Sequence, residues 1–266
     1  MRAIARVLAE LVDWVAVPAG EVLMGTREED VDAVLARHAD LPVERSWFLK
    51  ECPRHAVHVP DFAIARTPVT AGQLRLAAGA LGLGEPAGIH RRSAAMSWGA
   101  RTRWIPAPAG LPDHPAAVSH GLAERFCRWM SEETGEAICL ASEAQWERAA
   151  RGGDVREYPW GDEFGPGRAN IDRYSAGGTV PVGSFPAGAS PFGVLDMAGN
   201  LDEWTSSTYA PYPGAPAAVP AVEDWSLDQH VTRGGGWDHG RDAARCARRH
   251  GLYSPGPVGF RLVRAV

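Results

Sequence analysis

Histidine and aspartate residues in the C-terminal part of the chain could bind a metal. His230, His239 and His250 occur in one stretch, together with Asp238 and Asp242. Two histidines and one carboxylate form the ligand set that suits non-haem iron and its chemistry with oxygen. The spacing matches no motif for such a site, and histidines at the surface or in hydrogen bonds would give the same pattern. Iron is therefore one candidate redox metal.

The same stretch is rich in arginine, from Arg241 to Arg249. Guanidinium groups bind carboxylates and phosphates through paired hydrogen bonds, so the cluster could hold an anionic substrate. Arginines of this kind also pair with acids on a solvated face, and Asp238, Asp242 and Glu203 are available for that. The sequence leaves both interpretations open.

The cysteines are dispersed along the chain, and no two of them form a CxxC pair. This dispersal predicts free thiols in a reducing compartment. Cys127 lies in an apolar helical pattern, where a free thiol behaves as a small hydrophobic side chain. Cys246 is either a small buried side chain or a thiolate whose pKa the neighbouring arginines lower. The other two are Cys52 and Cys139.

The composition is that of an ordinary soluble globular chain, because 45% of the 266 residues are hydrophobic and 22% are charged. Such a chain can bury a large core. A formal net charge of -5 gives no basic surface for nucleic acid. No apolar run has the length of a membrane span. Charged residues interrupt the apolar residues near the N-terminus, so we expect no secretory signal and a cytoplasmic protein.

Helical periodicity is strongest in three segments. One helix is predicted from about His120 to Thr134, with Gly135 as its stop signal. A second is predicted from Thr70 to Leu81, with Thr70 as its N-cap. Ser142 and Gln145 predict a capping box at the start of a third. Weaker helical patterns cover residues 1–14 and 26–39.

Short strands and turns dominate after residue 153, and no linker divides the chain, which indicates a single α+β domain. Residues 15–24 predict a strand, a Pro-Ala-Gly turn and a second strand, and residues 55–64 alternate like a strand. No regular element can be placed between residues 82 and 113, which are rich in Gly, Pro, Arg and Trp. The further predicted strands are residues 180–185, 194–197, 230–233, 244–247 and 259–263.

Short motifs occur in one order along nearly the whole chain. They include Val17-Pro18-Ala19-Gly20, Pro68-Val69-Thr70, Ser142-Glu143-Ala144-Gln145-Trp146-Glu147, Asp196-Met197-Ala198-Gly199-Asn200, Arg233-Gly234-Gly235-Gly236-Trp237 and Gly259-Phe260-Arg261. Together they resemble the formylglycine-generating-enzyme-like, or sulfatase-modifying factor, family, with the first motif in its opening hairpin. The resemblance implies a single loop-rich domain over residues 1–266 with a C-type-lectin-related fold. The family includes oxidases, companion domains of sulfoxide synthases and binding modules without chemistry.

The resemblance also implies where a redox site would lie. The family's oxidases use copper(I), held by two cysteines five positions apart, to convert a sulfatase cysteine to formylglycine. Cys246 matches the second position, and Arg241 stands five residues before it. A guanidinium stays protonated and offers no lone pair to a metal, so half of the site is missing. Many relatives carry Trp where this chain has Asp202, which implies a different pocket wall and substrate class.

Calcium is the structural metal that the resemblance implies. One family calcium motif is matched by the carboxylates of Asp196 and Glu203 and the main-chain carbonyls of Gly199 and Leu201. Such oxygens form a hard-ligand cage. Asn170 and the carbonyl of Ile171 match half of a second site, whose later acidic ligand has no clear counterpart. Ordinary turn residues, with Asn200 and Asp202 capping the loop, would give the same pattern.

Three functional hypotheses follow. The first is a stand-alone, oxygen-dependent tailoring enzyme for a small molecule or peptide, with iron or copper as its redox metal. The second is a non-catalytic binding module for a ligand or protein, and the third is a copper-dependent formylglycine synthase. The expected catalytic residues are Cys246, Asp202 and His239, and the expected substrate-binding residues are Trp237, Arg241, Arg245 and Trp204.

Overall fold

The structure, a computed structural model, describes residues 2–83, 88–90, 104–106, 111–219, 229–252 and 258–266. The helices are α1 (Arg2–Leu11), α2 (Val31–Arg37), α3 (Arg45–Leu49), α4 (Ala71–Ala77), α5 (His120–Thr134) and α6 (Glu143–Arg151). The first six strands are β1 (Trp14–Val17), β2 (Gly20–Met24), β3 (His55–Val59), β4 (Phe62–Ala65), β5 (Gly88–His90) and β6 (Trp104–Pro106). The others are β7 (Ile138–Leu140), β8 (Glu203–Thr208), β9 (His230–Arg233), β10 (His250–Leu252), β11 (Gly259–Phe260) and β12 (Leu262–Ala265). This mixture confirms the predicted α+β class.

The ends of the main helices follow the local sequence signals. At the start of α4, the Thr70 hydroxyl accepts from the Gln73 N–H at 3.2 Å, and the Gln73 side chain accepts from the Thr70 N–H at 2.8 Å. Ser142 and Gln145 form the same capping box at the start of α6. Helix α5 ends at Gly135, whose left-handed φ of 80° suits a residue without Cβ. All three strong helix predictions are confirmed.

Helix α1 confirms the predicted N-terminal helix but buries a different face. Ala5 and Leu8 are buried in the core, whereas Ile4, Val7 and Leu11 are exposed. Helical spacing predicts an apolar stripe of Ile4, Val7, Leu8, Leu11 and Val12, and of these only Leu8 and Val12 pack against the core. Among the described residues, none of the helices combines the length and the apolar character needed to cross a membrane.

Two four-stranded sheets, with strand orders β1-β4-β12-β7 and β10-β9-β8-β11, organise the described strands. Strand β12 runs antiparallel to both neighbours, so that Val263 lies opposite Ile64 and Cys139. Strands β2 and β3 form a separate antiparallel pair, as do β5 and β6. The predicted hairpin of β1 with β2 is therefore wrong, because β1 pairs with β4.

Some of the predicted strands are irregular segments instead. Residues 180–185 and 194–197 are mostly irregular, and they hydrogen-bond to distant loops, as when the Leu195 N–H donates to the Arg66 carbonyl at 2.8 Å. Residues 244–247 are not a strand either, because a 3₁₀ turn spans Arg241–Ala244. No regular element was predicted for residues 82–113. Most of these residues lie outside the described ranges, but the short strands β5 and β6 lie between residues 82 and 113.

A buried ion-pair network joins α6 to the C-terminal half of the chain. Arg233 donates to Glu143 at 2.8 Å and to Glu147 at 2.7 Å, and Arg249 donates to Glu143 at 2.8 Å. The Tyr212 hydroxyl also donates to Glu143, at 3.0 Å. We call these five residues the Glu143 network. It fixes irregular segments whose positions the short strands alone do not determine.

Candidate functional site

A glycine turn at the end of β9 brings together the residues of the candidate site. Strands β8 and β9 pair so that Glu203 lies opposite Arg233. Asp202 directly precedes β8, and the glycine turn directly follows β9. The pairing of these two strands therefore brings Asp202 next to the turn. The turn residue Gly235 has a φ of 75° and donates its N–H to Asp202 Oδ1 at 3.1 Å. A side chain at this position would be strained by that φ and would lie 2.8 Å from Ala243 Cβ.

The site consists of a buried carboxyl behind a partly exposed imidazole. Asp202 Oδ2 lies 3.4 Å from His239 Nδ1; the Asp202 side chain is 9% exposed and that of His239 is 34% exposed. The Gly236 N–H donates to the same Nδ1 at 3.0 Å, so this nitrogen accepts when the ring is neutral. Nε2 is then the ring position that carries the proton.

Burial shapes the electrostatics of this site. Burial raises the pKa of Asp202, the charge of His239 lowers it in part, and the charge of Asp238 raises it further. Burial, together with the charges of Arg248 and Lys50, lowers the pKa of His250 well below its usual range. Asp202 thus resists ionisation, while His250 stays neutral.

The structure brings two of the three C-terminal histidines together. The rings of His239 and His250 have centroids 6.1 Å apart. His250 Nε2 is buried and has no hydrogen-bond partner among the described residues. His230 lies elsewhere, with its ring stacked on that of His120 at 3.4 Å. A buried carboxyl whose pKa is raised, next to a partly exposed imidazole, can hold and transfer protons.

Both tryptophans predicted to bind substrate are packed inside the protein. Trp237 is 2% exposed, and its main-chain N–H donates to the Asn200 carbonyl at 3.1 Å. Trp204 is 1% exposed, and its indole donates to the Val118 carbonyl at 2.9 Å. Trp237 directly follows the glycine turn in the sequence, and its side chain is buried rather than open to a substrate.

The arginines predicted to bind substrate are engaged in ion pairs. Arg241 donates to Asp40 at 3.1 Å and to Asp172 at 3.4 Å. Arg245 is buried and makes two hydrogen bonds to the Glu51 carboxylate, at 2.9 and 2.8 Å. The arginines thus pair with acids of the protein, but not with the predicted partners Asp238, Asp242 and Glu203, and Arg245 pairs in the core rather than on a solvated face.

Cys246 lies in the core beside Trp146 and Met197, with no solvent exposure. Burial raises the pKa of its thiol to about 12. This direction is opposite to the lowered pKa of the thiolate hypothesis, because burial outweighs the nearby arginine charges. Burial also raises the pKa of Cys52 to about 12, and Cys52 packs in a different apolar cluster with Val31 and Phe48.

We expect thiol reagents to label Cys139 first in the native protein, because it is exposed and the other three cysteines are buried. Cys246→Ala should leave the fast labelling unchanged, whereas Cys139→Ser should remove it. Mass spectrometry of alkylated peptides would measure both. Loss of fast labelling in Cys246→Ala would contradict the buried position of this thiol.

The segment that resembles a calcium motif is held by direct contacts. The Glu203 carboxylate accepts from Arg261 Nε at 2.6 Å and from the Trp146 indole at 2.9 Å. Asp196 Oδ2 accepts from the Gly183 N–H at 2.6 Å, and burial raises the pKa of Asp196. Arg261 therefore already supplies positive charge to Glu203, while the charge of Asp196 is poorly compensated.

Turn contacts also engage the remaining residues of the predicted calcium sites. The Asn170 side chain donates to the Gly178 carbonyl at 2.9 Å, and its main-chain carbonyl accepts from the Asn200 N–H at 2.8 Å. The Leu201 N–H donates to the Gly199 carbonyl at 2.9 Å. Ile171 is buried and precedes a 3₁₀ turn. Within the described part of the chain, no three His, Cys, Asp or Glu side chains are arranged to hold a metal ion.

Sequence reasoning missed the lysine near this site. Lys50 is the single lysine of the chain, and it is buried at the end of α3. Its charge acts on His250, about two hundred residues later in the sequence. No local pattern relates Lys50 to His250. The one signal in the sequence was compositional, since the chain has a single lysine among many arginines.

Comparisons with known proteins agree with this architecture. A model of the sulfatase-modifying factor enzyme 1-like domain matches residues 4–266. The solved structure of PvdO from Pseudomonas aeruginosa superimposes with a TM-score of 0.70 at 28% identity, over 95% of this chain and 94% of that chain.

Two curated relatives carry enzyme names. Hercynine oxygenase of Mycolicibacterium smegmatis is 32% identical over 249 residues, which cover 84% of this chain and 54% of that protein. The formylglycine-generating enzyme of Mycobacterium tuberculosis is 30% identical over 217 residues, which cover 62% of this chain and 70% of that protein. The chain spans about half the length of the hercynine oxygenase that it matches.

Proposed function

Because this chain belongs to the sulfatase-modifying factor enzyme 1-like family, we propose that it is an oxygen-dependent oxidoreductase for a small molecule or peptide. Similarity to hercynine oxygenase over 84% of the chain supports an oxidative reaction. The observation that carries the proposal is the pairing of buried Asp202 with partly exposed His239 at 3.4 Å. The four free thiols favour a reducing compartment, and we expect the protein to act in the cytoplasm.

In this proposal, Asp202 and His239 handle the proton that accompanies oxidation. The neutral His239 ring donates its Nε2 proton to a basic atom of the substrate or to reduced oxygen, and Nδ1 takes a proton from the protonated Asp202 carboxyl. Asp202 is then left as the carboxylate until a proton returns by the same path. The Gly235 N–H fixes the carboxyl at Oδ1, which leaves Oδ2 for the imidazole. Burial of the carboxyl strengthens this interaction, because water competes little for it.

A redox metal, when bound, would supply the activation of oxygen. The described residues do not bring three metal-binding side chains together, and Cys246 lies in the core. Iron or copper would thus need a ligand from the substrate itself or from outside the described residues. A thiol substrate could provide such a ligand, since thiolates bind copper(I) and iron well.

Oxygen uptake by the purified full chain tests the proposed function. Iron- and copper-loaded samples would be given hercynine with a thiol, a cysteine-containing sulfatase peptide, or no substrate. The proposal expects uptake above the substrate-free rate in one substrate arm. Uptake with the peptide, together with formylglycine in the product, would favour the copper-dependent synthase. Equal rates in all three arms would contradict an oxidase of either substrate class.

A non-catalytic binding module is the second candidate. It is favoured by one observation, namely that Cys246, Arg241 and Arg245 are all engaged in protein packing or ion pairs. Under this hypothesis a ligand or protein would bind without oxygen uptake, and Asp202→Asn would alter affinity alone. A measurable turnover that Asp202→Asn removes would exclude it.

Calcium is the structural metal that we propose near Asp196. Its buried carboxyl has a raised pKa and would gain from a nearby cation, whereas Glu203 is already paired with Arg261. Calcium at about a hundred times its Kd should stabilise the fold by roughly 2.7 kcal/mol, seen as a higher Tm. Asp196→Asn should remove the shift, and magnesium should give a smaller one. An unchanged Tm in calcium would contradict this site.

A further inference from the structure

A cleft of about 410 Å³ opens beside α2. It shares none of its lining residues with the Asp202 site. Its lining includes the arginines Arg37, Arg54, Arg151, Arg156 and Arg245. The acidic residues of the lining are Asp30, Glu157 and Asp162. A cleft of this size can hold a small-molecule ligand.

Most of these arginines have close acidic partners. Arg37 donates to Glu157 at 2.8 Å, Arg156 donates to Asp154 at 2.8 Å, and Arg245 is paired with Glu51. The charges of these three arginines are therefore compensated within the protein, whereas Arg54 and Arg151 share their carboxylates with further arginines.

Arg54 and Arg151 converge on one backbone oxygen. Arg54 Nε donates to the Gly25 carbonyl at 3.5 Å, and Arg151 Nη1 donates to the same oxygen at 3.4 Å. Two positive groups are thus held close together by a neutral acceptor. Arg151 Nε is also buried and has no hydrogen-bond partner among the described residues.

The carboxylates near these two guanidinium groups are shared with other arginines. Asp30 lies 3.6 Å from Arg54, but it accepts two hydrogen bonds of 2.9 Å from Arg27. Glu147 lies 3.1 Å from Arg151, and its other oxygen accepts from Arg233 at 2.7 Å. Burial and the charge of Arg151 lower the pKa of Arg54. Positive charge is therefore in excess at this point.

We propose that this cleft binds the oxyanion group of a small molecule, a carboxylate or a phosphate, between Arg54 and Arg151. Guanidinium forks match the oxygens of both groups through charge-assisted hydrogen bonds. The half-buried position of Arg54 reduces competition from water. The bound group would compensate the positive charge of Arg54 and Arg151 that Asp30 and Glu147 do not neutralise.

Calorimetric titration of the full chain at low salt tests the proposal, with inorganic phosphate and succinate as separate probes. Saturable binding at one site is expected for at least one probe, and the tighter probe identifies the chemical source of the oxyanion. Arg54→Gln should weaken that binding about tenfold or more, because the fork is lost. Asp30→Asn should strengthen it several-fold, because a competing carboxylate is removed.

Arg45→Gln is the matched control. It makes the same charge change at an exposed arginine that pairs with Asp32 outside the cleft. This variant should bind the probe with the same affinity as the unmodified chain. Two results would overturn the proposal: no saturable binding of either probe up to about 10 mM, or equal affinities for Arg54→Gln and Arg45→Gln. The opposite effect of Asp30→Asn keeps the test informative if Arg54→Gln folds poorly.

Discussion

Glu143→Ala is expected to destabilise the fold by about 3–5 kcal/mol, since removing one partner of a buried ion pair leaves uncompensated charge behind. The Glu143 carboxylate accepts hydrogen bonds from Arg233, Arg249 and Tyr212. Two guanidinium groups would lose that partner within the core, where water cannot replace it. Urea unfolding, followed by tryptophan fluorescence, measures the change in the free energy of unfolding.

Glu132→Ala is the control variant for this prediction. It removes an exposed glutamate of α5 and should change stability by less than about 0.5 kcal/mol. A Glu143→Ala effect no larger than that of Glu132→Ala would contradict the structural role of the network.

The contribution of Glu143 to stability should also depend on pH. Burial alone would raise the pKa of Glu143, but the charges of Arg233 and Arg249 outweigh burial and lower it. The folded-state pKa then lies below the unfolded value, so this stabilisation is present above about pH 4 and is lost as pH falls through the lowered pKa.

Asp202→Asn is expected to lower the rate of the proposed oxidation by about 10²–10⁴-fold, the usual contribution of a positioned acid or base. The amide keeps an oxygen for the Gly235 N–H but can neither give a proton to His239 nor take one back. His239→Gln should reduce the rate to a similar extent, because the two residues act as one unit. The measurement is kcat for the substrate that supports oxygen uptake, with exposed Asp61→Asn as the control.

The stability of the Asp202→Asn variant distinguishes a role of Asp202 in the reaction from a role in maintaining the fold. Burial raises the pKa of Asp202 above its unfolded value, so its ionisation opposes folding as pH rises through the raised pKa. Asp202→Asn removes that ionisation and should therefore leave stability at pH 7 equal or higher. Loss of both turnover and stability in this variant would show that Asp202 mainly supports the fold.

The helices were largely predictable because their signals are local. Capping boxes at Thr70 and Ser142, and a terminal glycine at Gly135, each specify a helix end from a few adjacent residues. The partner of β1 was not predictable in this way. It pairs with β4 across some fifty residues, and a strand, a turn and a strand in sequence predicted a hairpin instead.

The candidate site was predictable in part. Asp202 and His239 were expected, and one turn of glycines places them together. The buried contacts of Arg245 and Cys246 were not determined by the sequence, because both depend on residues far away, such as Glu51 and Trp146. The Arg54–Arg151 cleft was not predictable either, because about a hundred residues separate the two arginines in the sequence.

The position of β12 has a consequence for how the protein is made. This strand lies between β4 and β7, and its residue Val263 faces Ile64 across roughly two hundred positions of sequence. During synthesis, β4 and β7 emerge from the ribosome long before the strand that joins them. Their open edges would be exposed in the nascent chain, where such edges promote aggregation. In the growing polypeptide, the pairing of β4 and β7 through this sheet is thus expected to wait until β12 has emerged.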